Sequence, residues 1–297
     1  MSTCIIDGLT FSCESPANCH GSPELAVGFN CFFNHREHET KTVEIKLVGQ
    51  SIVSEYPVIP NILGRNFTMT VYDWHLYDNL NNYCPGHEES HHSILVNKIW
   101  EGYETRLAME IFNRATPGSL VLDFGANAGW FSVIAASFGH RVVAFEAEGE
   151  NVKLLVRNAI QNGYAHLITP VHVWIGVHTP QLPGDREDVE FLKMDIECHE
   201  DDGMRMCAKL FESRRVRYAL VEISPCCGNG AYYPDLVEWL GACGYDMFDM
   251  PDKLNAYRDD YSHDPLAAIR RRQVLPGNVR QYLAPVHQTN MFFIRKD

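Results

Sequence analysis

The stretch Val121-Leu122-Asp123-Phe124-Gly125-Ala126-Asn127-Ala128-Gly129-Trp130-Phe131-Ser132 constrains the fold more than any other part of the chain. It reads as an apolar strand ending in an acid, a loop of small residues, and the opening of an apolar helix. Glycine at 125 and 129 allows a sharp bend and a close backbone approach that a side chain would block. Turns of this kind join strand to helix in parallel α/β sheets, where ligands bind outside the carboxyl ends of the strands. A dinucleotide fingerprint requires glycines at the first, third and sixth places of the turn. Here Asn127 and Trp130 hold the third and sixth places, so the spacing argues against an NAD-type site.

Two further segments repeat the pattern of a strand ending in an acid. Arg141-Val142-Val143-Ala144-Phe145-Glu146-Ala147 puts Glu146 21 residues after Gly125 and 23 after Asp123. That is the spacing at which an acid reaches the ribose hydroxyls of a nucleoside cofactor. Phe191-Leu192-Lys193-Met194-Asp195-Ile196-Glu197-Cys198-His199-Glu200 and Tyr218-Ala219-Leu220-Val221-Glu222-Ile223 also read as buried strands ending in carboxylates. Taken together, D-x-G-A-N-x-G, A-F-E and K-x-D-x-E-x-x-E resemble the FkbM-type family of S-adenosylmethionine (SAM)-dependent methyltransferases. The matching residues are Asp123, Gly125, Ala126, Asn127, Gly129, Phe131 and Ser132, then Ala144, Phe145 and Glu146, then Lys193, Asp195, Glu197 and Glu200. Ala147 stands where the family usually has proline, and Cys198-His199 where it has a glycine-containing pair. The resemblance covers roughly residues 95 to 250 and the terminal strand.

The resemblance implies a class I, Rossmann-like α/β fold with a mostly parallel sheet and an antiparallel last strand. It implies SAM as cofactor, with Asp123, Gly125, Ala126, Asn127 and Gly129 around its methionine end and Glu146-Ala147 at the ribose. The implied acceptor is a hydroxyl of a sugar or another small molecule. Methyl transfer to oxygen needs cofactor and nucleophile held close and in line, and a base or orienting group for the hydroxyl. Asp195 is the first candidate for that role, with Glu197 and His199 behind it; an unperturbed histidine titrates near neutral pH. The competing role for Asp195 is to hold the cofactor's ammonium group. Trp130 and Trp174 are read first as core residues, and contact with adenine or acceptor is the alternative.

Other chemistries fit less well. Asp195 and Glu222 could offer oxygens to a magnesium ion, but no Asp-x-Asp or Asp-Asn pair follows the fifth strand, so no metal is expected. Cys4, Cys13, Cys19, His20, Cys31, His35 and His38 contain no C-x2-C pair of the zinc-finger kind. Pro225-Cys226 follows the fifth strand, whereas the nucleophilic Pro-Cys of cytosine C5 methyltransferases follows the fourth. RNA 2′-O-methylation and a catalytically silent SAM-binding subunit are the alternatives kept.

A formal net charge of −13, from 38 acids against 25 bases, lacks the basic face of a polyanion binder. Nucleic acid is therefore not the expected partner. Arg270-Arg271-Arg272 is the one basic run, read as a solvated face. The chain shows no signal-peptide pattern at Met1 and no apolar run of about 18 residues. With ten irregularly spaced cysteines, the expectation is a cytoplasmic protein with mostly free thiols.

Along the chain, residues 1–90 read as a small β-rich N-terminal module or cap, serving substrate selection or subunit contact. Its alternating strands are Thr42–Val48 and Phe67–Tyr72. Residues 91–297 form the methyltransferase-like domain. Leu95, Ile99, Tyr103, Leu107 and Ile111 predict a helix over 91–114. Core strands are expected near 119–124, 141–146, 168–174, 190–195, 217–223, 244–249 and 290–294. The polar segment 250–288 is long enough for an inserted lid. The oligomeric state is not legible.

Overall fold

The structure is a computed structural model. It describes residues 2–6, 9–13, 40–47, 65–72, 90–91, 93–95, 99–178, 180, 182, 187–224, 233–250, 264–286 and 288–297, with β1 and β2 described by backbone alone. The N-terminal strands are β1 (Ser2–Ile6), β2 (Leu9–Cys13), β3 (Thr40–Leu47) and β4 (Arg65–Tyr72). The alternating core follows as α1 (Gly102–Arg114), β5 (Leu120–Phe124), α2 (Trp130–Ser137), β6 (Arg141–Glu146), α3 (Gly149–Gln161), β7 (Ile168–His172), β8 (Val189–Met194), α4 (Glu200–Met206), α5 (Ala208–Glu212) and β9 (Val216–Ile223). The chain closes with α6 (Tyr233–Ala242), β10 (Tyr245–Asp249), α7 (Pro265–Arg270), β11 (Gln273–Val274), α8 (Val279–Leu283) and β12 (Thr289–Arg295).

The main sheet has the order β1-β2-β7-β6-β5-β8-β9-β12-β10-β11. Strands β7, β6, β5, β8 and β9 run parallel, and β12 inserts antiparallel between β9 and β10. This is the mostly parallel α/β sheet with an antiparallel last strand that the sequence predicts. Strands covered on both faces need continuous apolar runs, and all five residues of β5 are buried. Alternate residues feed two cores: Val121, Phe191, Leu220 and Phe292 on one face, and Leu122, Phe124, Met194, Val221 and Phe293 on the other. The strand order reverses at β5, with β6 on one side and β8 on the other. A crevice for ligands forms at the carboxyl end of such a switch point.

Both N-terminal hairpins touch this core. Cys13 of β2 pairs in parallel with His172 of β7. Strand β4 buries Phe67, Met69 and Val71 in the core, each contributing roughly 1.5–3 kcal/mol relative to exposure. Its backbone is met by side-chain amides of α3 and its C-cap. Asn158 Oδ1 accepts from Thr70 N at 2.7 Å, and Asn158 Nδ2 donates to Thr70 O at 3.0 Å. Asn162 repeats the arrangement at Thr68, at 2.7 Å in both directions.

One helix departs from expectation. The segment 91–114 is broken, because Glu101 takes a left-handed conformation (φ 42°) and α1 begins only at Gly102. Of the periodic apolar positions, Ile99, Tyr103, Leu107 and Ile111 are buried on both sides of the break, and Leu95 packs partly buried against the same core. Within the segment 250–288, α7, β11 and α8 supply regular structure, and β11 pairs with β10. Positions 19, 20, 31, 35 and 38, Pro225–Cys227 and residues 251–263 lie outside the described residues. Among the described residues no helix is long and apolar enough to cross a membrane.

Candidate functional site at the carboxyl edge of the sheet

Gly125, Asn127 and Gly129 all have positive φ (76°, 52° and 91°), which folds the loop after β5 back over the strand ends. A Cβ on Gly125 would lie 1.7 Å from the Asp195 carbonyl oxygen, so glycine here lets β5 and the end of β8 close together. The loop spends its own donors. Gly125 N and Ala126 N donate to Phe145 O, and Gly129 N to Ala126 O. Asn127 N donates to Glu146 Oε2 at 2.7 Å, and Ala128 N to Asn127 Oδ1 at 2.6 Å. A pyrophosphate cradle needs backbone N–H groups turned toward the ligand, and these five are already used.

Asp123 lies beneath the loop at 1% exposure and accepts from Ser132 Oγ at 2.6 Å. Burial pushes its carboxyl up to about 6, against the pull of that hydrogen bond. Glu146 ends β6, with Oε1 accepting from Glu148 N at 2.8 Å and Oε2 from Asn127 N. Its carboxylate is thereby fixed across the loop mouth. Ala147 is exposed beside it, and its carbonyl is 3.0 Å from His172 Nε2. Asn127 is also held from above, with Oδ1 2.7 Å from His91 Nε2 and Nδ2 3.3 Å from Ser90 Oγ.

The neighbouring half of the edge is built from charges. Lys193 of β8 is 2% exposed, with Nζ 2.9 Å from Asp195 Oδ2 and 3.2 Å from Glu101 Oε2. It also lies over the Phe131 ring, 5.2 Å from the centroid. Burial pulls the ammonium down, and Asp195 and Glu101 outweigh it, leaving Lys193 above the usual lysine range. The break before α1 brings Glu101 to this lysine. One turn on, Glu104 accepts from Asn290 Nδ2 at 3.1 Å. Asn290 in turn stands beside Glu222 in the β12–β9 register. Burial raises all three acids: Glu101 to about 8, Glu104 upward, and Glu222 to about 9 with help from Asp195. No sequence motif marked Glu101, Glu104 or Asn290.

The turn after β8 carries the remaining predicted residues. Asp195 N still pairs with Phe124 O at 3.1 Å, which keeps the carboxylate at the strand end. Glu197 and Cys198 then adopt φ of 52° and 77° in succession. Cys198 thus holds a left-handed backbone conformation, one that favours glycine. Glu200, fully buried, pins the turn: Oε1 accepts from Ile196 N (3.1 Å) and Cys198 N (3.2 Å), and Oε2 from Tyr233 Oη (2.7 Å). Asp195, Glu200 and Glu222 each bring a carboxylate oxygen within 4.8 Å of the others. Both Glu200 oxygens are already committed to the turn. Glu197 is exposed. His199 is half-buried, with Nδ1 3.4 Å from Asp202 Oδ2.

Four expectations are revised or narrowed. Trp130 is a core residue, 3% exposed, donating Nε1–H to Thr105 Oγ1 at 2.8 Å. Trp174, read first as core, is 47% exposed, because the chain turns off the sheet after His172. Arg272 is not a free basic group, since it pairs with the carboxylate of Asp249. Free thiols are found at Cys207 and Cys243, but Cys198 is disulfide-bonded.

No family model and no curated protein matches the chain. Solved structures resemble it in outline. The SAM-dependent methyltransferase from Geobacter sulfurreducens, in complex with S-adenosyl-L-homocysteine, is 17% identical over 66% of this chain and 90% of its own, with a TM-score of 0.41. The METTL16 MTase domain is 13% identical over 72% of this chain and 71% of its own, with a TM-score of 0.41. A TehB-like SAM-dependent methyltransferase from Corynebacterium glutamicum is 14% identical over 69% of this chain and 98% of its own, with a TM-score of 0.39.

Proposed function

We propose that the chain is a SAM-dependent methyltransferase, of the kind its motifs resemble, acting on a hydroxyl of a sugar or other small molecule. The observation that carries this is the loop 125–129. It stands at the switch point of a sheet whose last strand is inserted antiparallel, and its N–H groups are used internally. Such a loop can pack against an uncharged or cationic group but has no donors to spare for a pyrophosphate. The residues present fit a nucleoside sulfonium: Glu146 is fixed to accept ribose hydroxyls, and acids dominate the edge around it.

When bound, SAM supplies a methyl group activated by its positive sulfur. The chain's own residues do the rest. The loop backbone holds the methionine end, with Asp123 and Ser132 supporting it from below. Asp195, held by Lys193 at 2.9 Å, orients the acceptor hydroxyl and takes its proton as the new C–O bond forms. Glu197 and His199 line the outer side of the same turn.

The test is release of S-adenosylhomocysteine from SAM against a panel of free sugars, small alcohols and short RNAs. Release stimulated by a sugar or alcohol is the expected result. Release stimulated only by RNA would move the reading to 2′-O-methylation of RNA. Release that requires an added protein fraction would favour a silent SAM-binding subunit.

A further inference from the structure

Asn158 is fully buried within α3. Asparagine is a weaker helix former than alanine or leucine, and a buried amide must have its donors and acceptors met. The side chain offers two N–H donors and two lone pairs, and all four are used. Oδ1 accepts from Thr70 N at 2.7 Å and from Gln161 Nε2 at 2.8 Å. Nδ2 donates to Thr70 O at 3.0 Å and to Ala128 O at 2.8 Å. One amide therefore ties strand β4 of the N-terminal hairpin to the loop that follows β5.

Holding β4 on α3 does not require the bond to Ala128. Asn162 makes the same reciprocal pair of bonds to Thr68, and none of its bonds goes to the loop. The bond to Ala128 is one of several that reach the loop from outside the strand–loop–helix unit. Ser90 and His91 hold the Asn127 side chain. Leu155, one turn before Asn158 on the same face of α3, packs so closely that a Cβ on Gly129 would come 2.5 Å from its Cδ1. Phe67 of β4 meets the Trp130 ring edge-on, with centroids 5.7 Å apart at 65°. Positions 127 to 130 are thus each fixed in turn, three of the four by segments N-terminal to α1 or through Asn158 bonded to one of them. A loop already held in its binding shape does not have to be ordered by the ligand, which raises affinity.

We infer that Asn158 is a positioning residue for the cofactor, through which the docked β3–β4 hairpin sets the shape of loop 125–129. The inference rests on the reading that this loop receives the methionine end of the nucleoside sulfonium. It gives the N-terminal strands a part in cofactor binding, beyond the substrate selection or subunit contact expected from sequence.

The experiment measures S-adenosylhomocysteine binding by calorimetry, and ligand-free melting temperature, for the parent protein, Asn158→Ala, Asn162→Ala and Phe67→Leu. Loss of one buried hydrogen bond to the loop predicts about a three- to tenfold weaker affinity in Asn158→Ala. Asn162→Ala should melt below the parent yet bind with the parent's affinity, because it loosens the hairpin without touching the loop. Phe67→Leu should show a smaller loss of affinity, and it decides the matter if Asn158→Ala does not fold. A folded Asn158→Ala with the parent's affinity would make the residue merely structural and overturn the inference, as would equal losses of affinity in Asn158→Ala and Asn162→Ala. Should Asn158→Ala not fold, parental affinity in Phe67→Leu would overturn it as well. Each of these leaves the cofactor reading standing; a parent that binds no S-adenosylhomocysteine would remove that reading first, and this inference with it.

Discussion

The two halves of the carboxyl edge solve the same problem in opposite ways. On the β5–β6 side, backbone amides, one asparagine and two acids satisfy each other within the loop. On the β8–β9–β12 side, Glu101, Glu104, Asp195 and Glu222 gather around one buried ammonium, Lys193. The first half is rigid because its geometry is closed. The second holds surplus acid in a poorly hydrated setting, where its state depends on pH and on what binds. A cofactor platform needs the first property, and a proton-handling site needs the second.

Charge removal in the acid half should have the largest effect. Replacing Lys193 by methionine leaves Asp195 and Glu101 without their shared cation, and breaking a buried pair in this way costs about 3–5 kcal/mol. Urea denaturation should show that loss, and a change below about 1 kcal/mol would mean the acids are hydrated after all. The same half sets the pH response. Glu101 and Glu222 have folded pKa values of about 8 and 9, above the ordinary 4.5. The folded protein therefore binds more protons than the unfolded chain between these limits. Their contribution is fully present below about pH 4.5 and is lost as pH rises through 8 and 9. Stability should fall over that range, by at most ~1.4 kcal/mol per pH unit per proton. Glu101→Gln should flatten the lower part of the curve, and an unchanged curve would contradict the assignment.

Steric closure in the loop half is probed by a glycine series at nearly constant φ. Gly125, Gly129 and Gly118 lie at 76°, 91° and 89°, so alanine at each carries a similar backbone strain of about 1–3 kcal/mol. Their surroundings differ. At 125 the added methyl meets the Asp195 carbonyl oxygen at 1.7 Å, at 129 the Leu155 side-chain Cδ1 at 2.5 Å, and at 118 nothing within 4 Å. The expected order of destabilisation is Gly125→Ala, then Gly129→Ala, then Gly118→Ala. Equal losses at all three would mean the loop is not packed against β8.

The same contrast explains what the sequence revealed. The loop half was legible because its geometry is written in contiguous residues: Asp123 to Ser132 is one strand–loop–helix unit, and Glu146 follows at fixed spacing. The core strands were legible too, since buried parallel strands need unbroken apolar runs. The acid half was legible only where it lies on β8 and β9. Glu101, just before α1, Glu104 of α1 and Asn290 of β12 meet Lys193 and Glu222 through tertiary packing, which no local pattern encodes. The helix expected over 91–114 failed for the same reason: its periodicity reports burial, which continues through the break at Glu101. Trp174 was misplaced because an aromatic after a strand looks the same whether the chain stays on the sheet or leaves it.

The central claim is that loop 125–129 and Glu146 receive a nucleoside sulfonium rather than a dinucleotide. Calorimetric titration of the purified protein with SAM, S-adenosylhomocysteine and NAD tests it most directly. Micromolar binding of SAM or S-adenosylhomocysteine with none of NAD is the predicted result. A folded protein that binds NAD, or neither SAM nor S-adenosylhomocysteine, would contradict it.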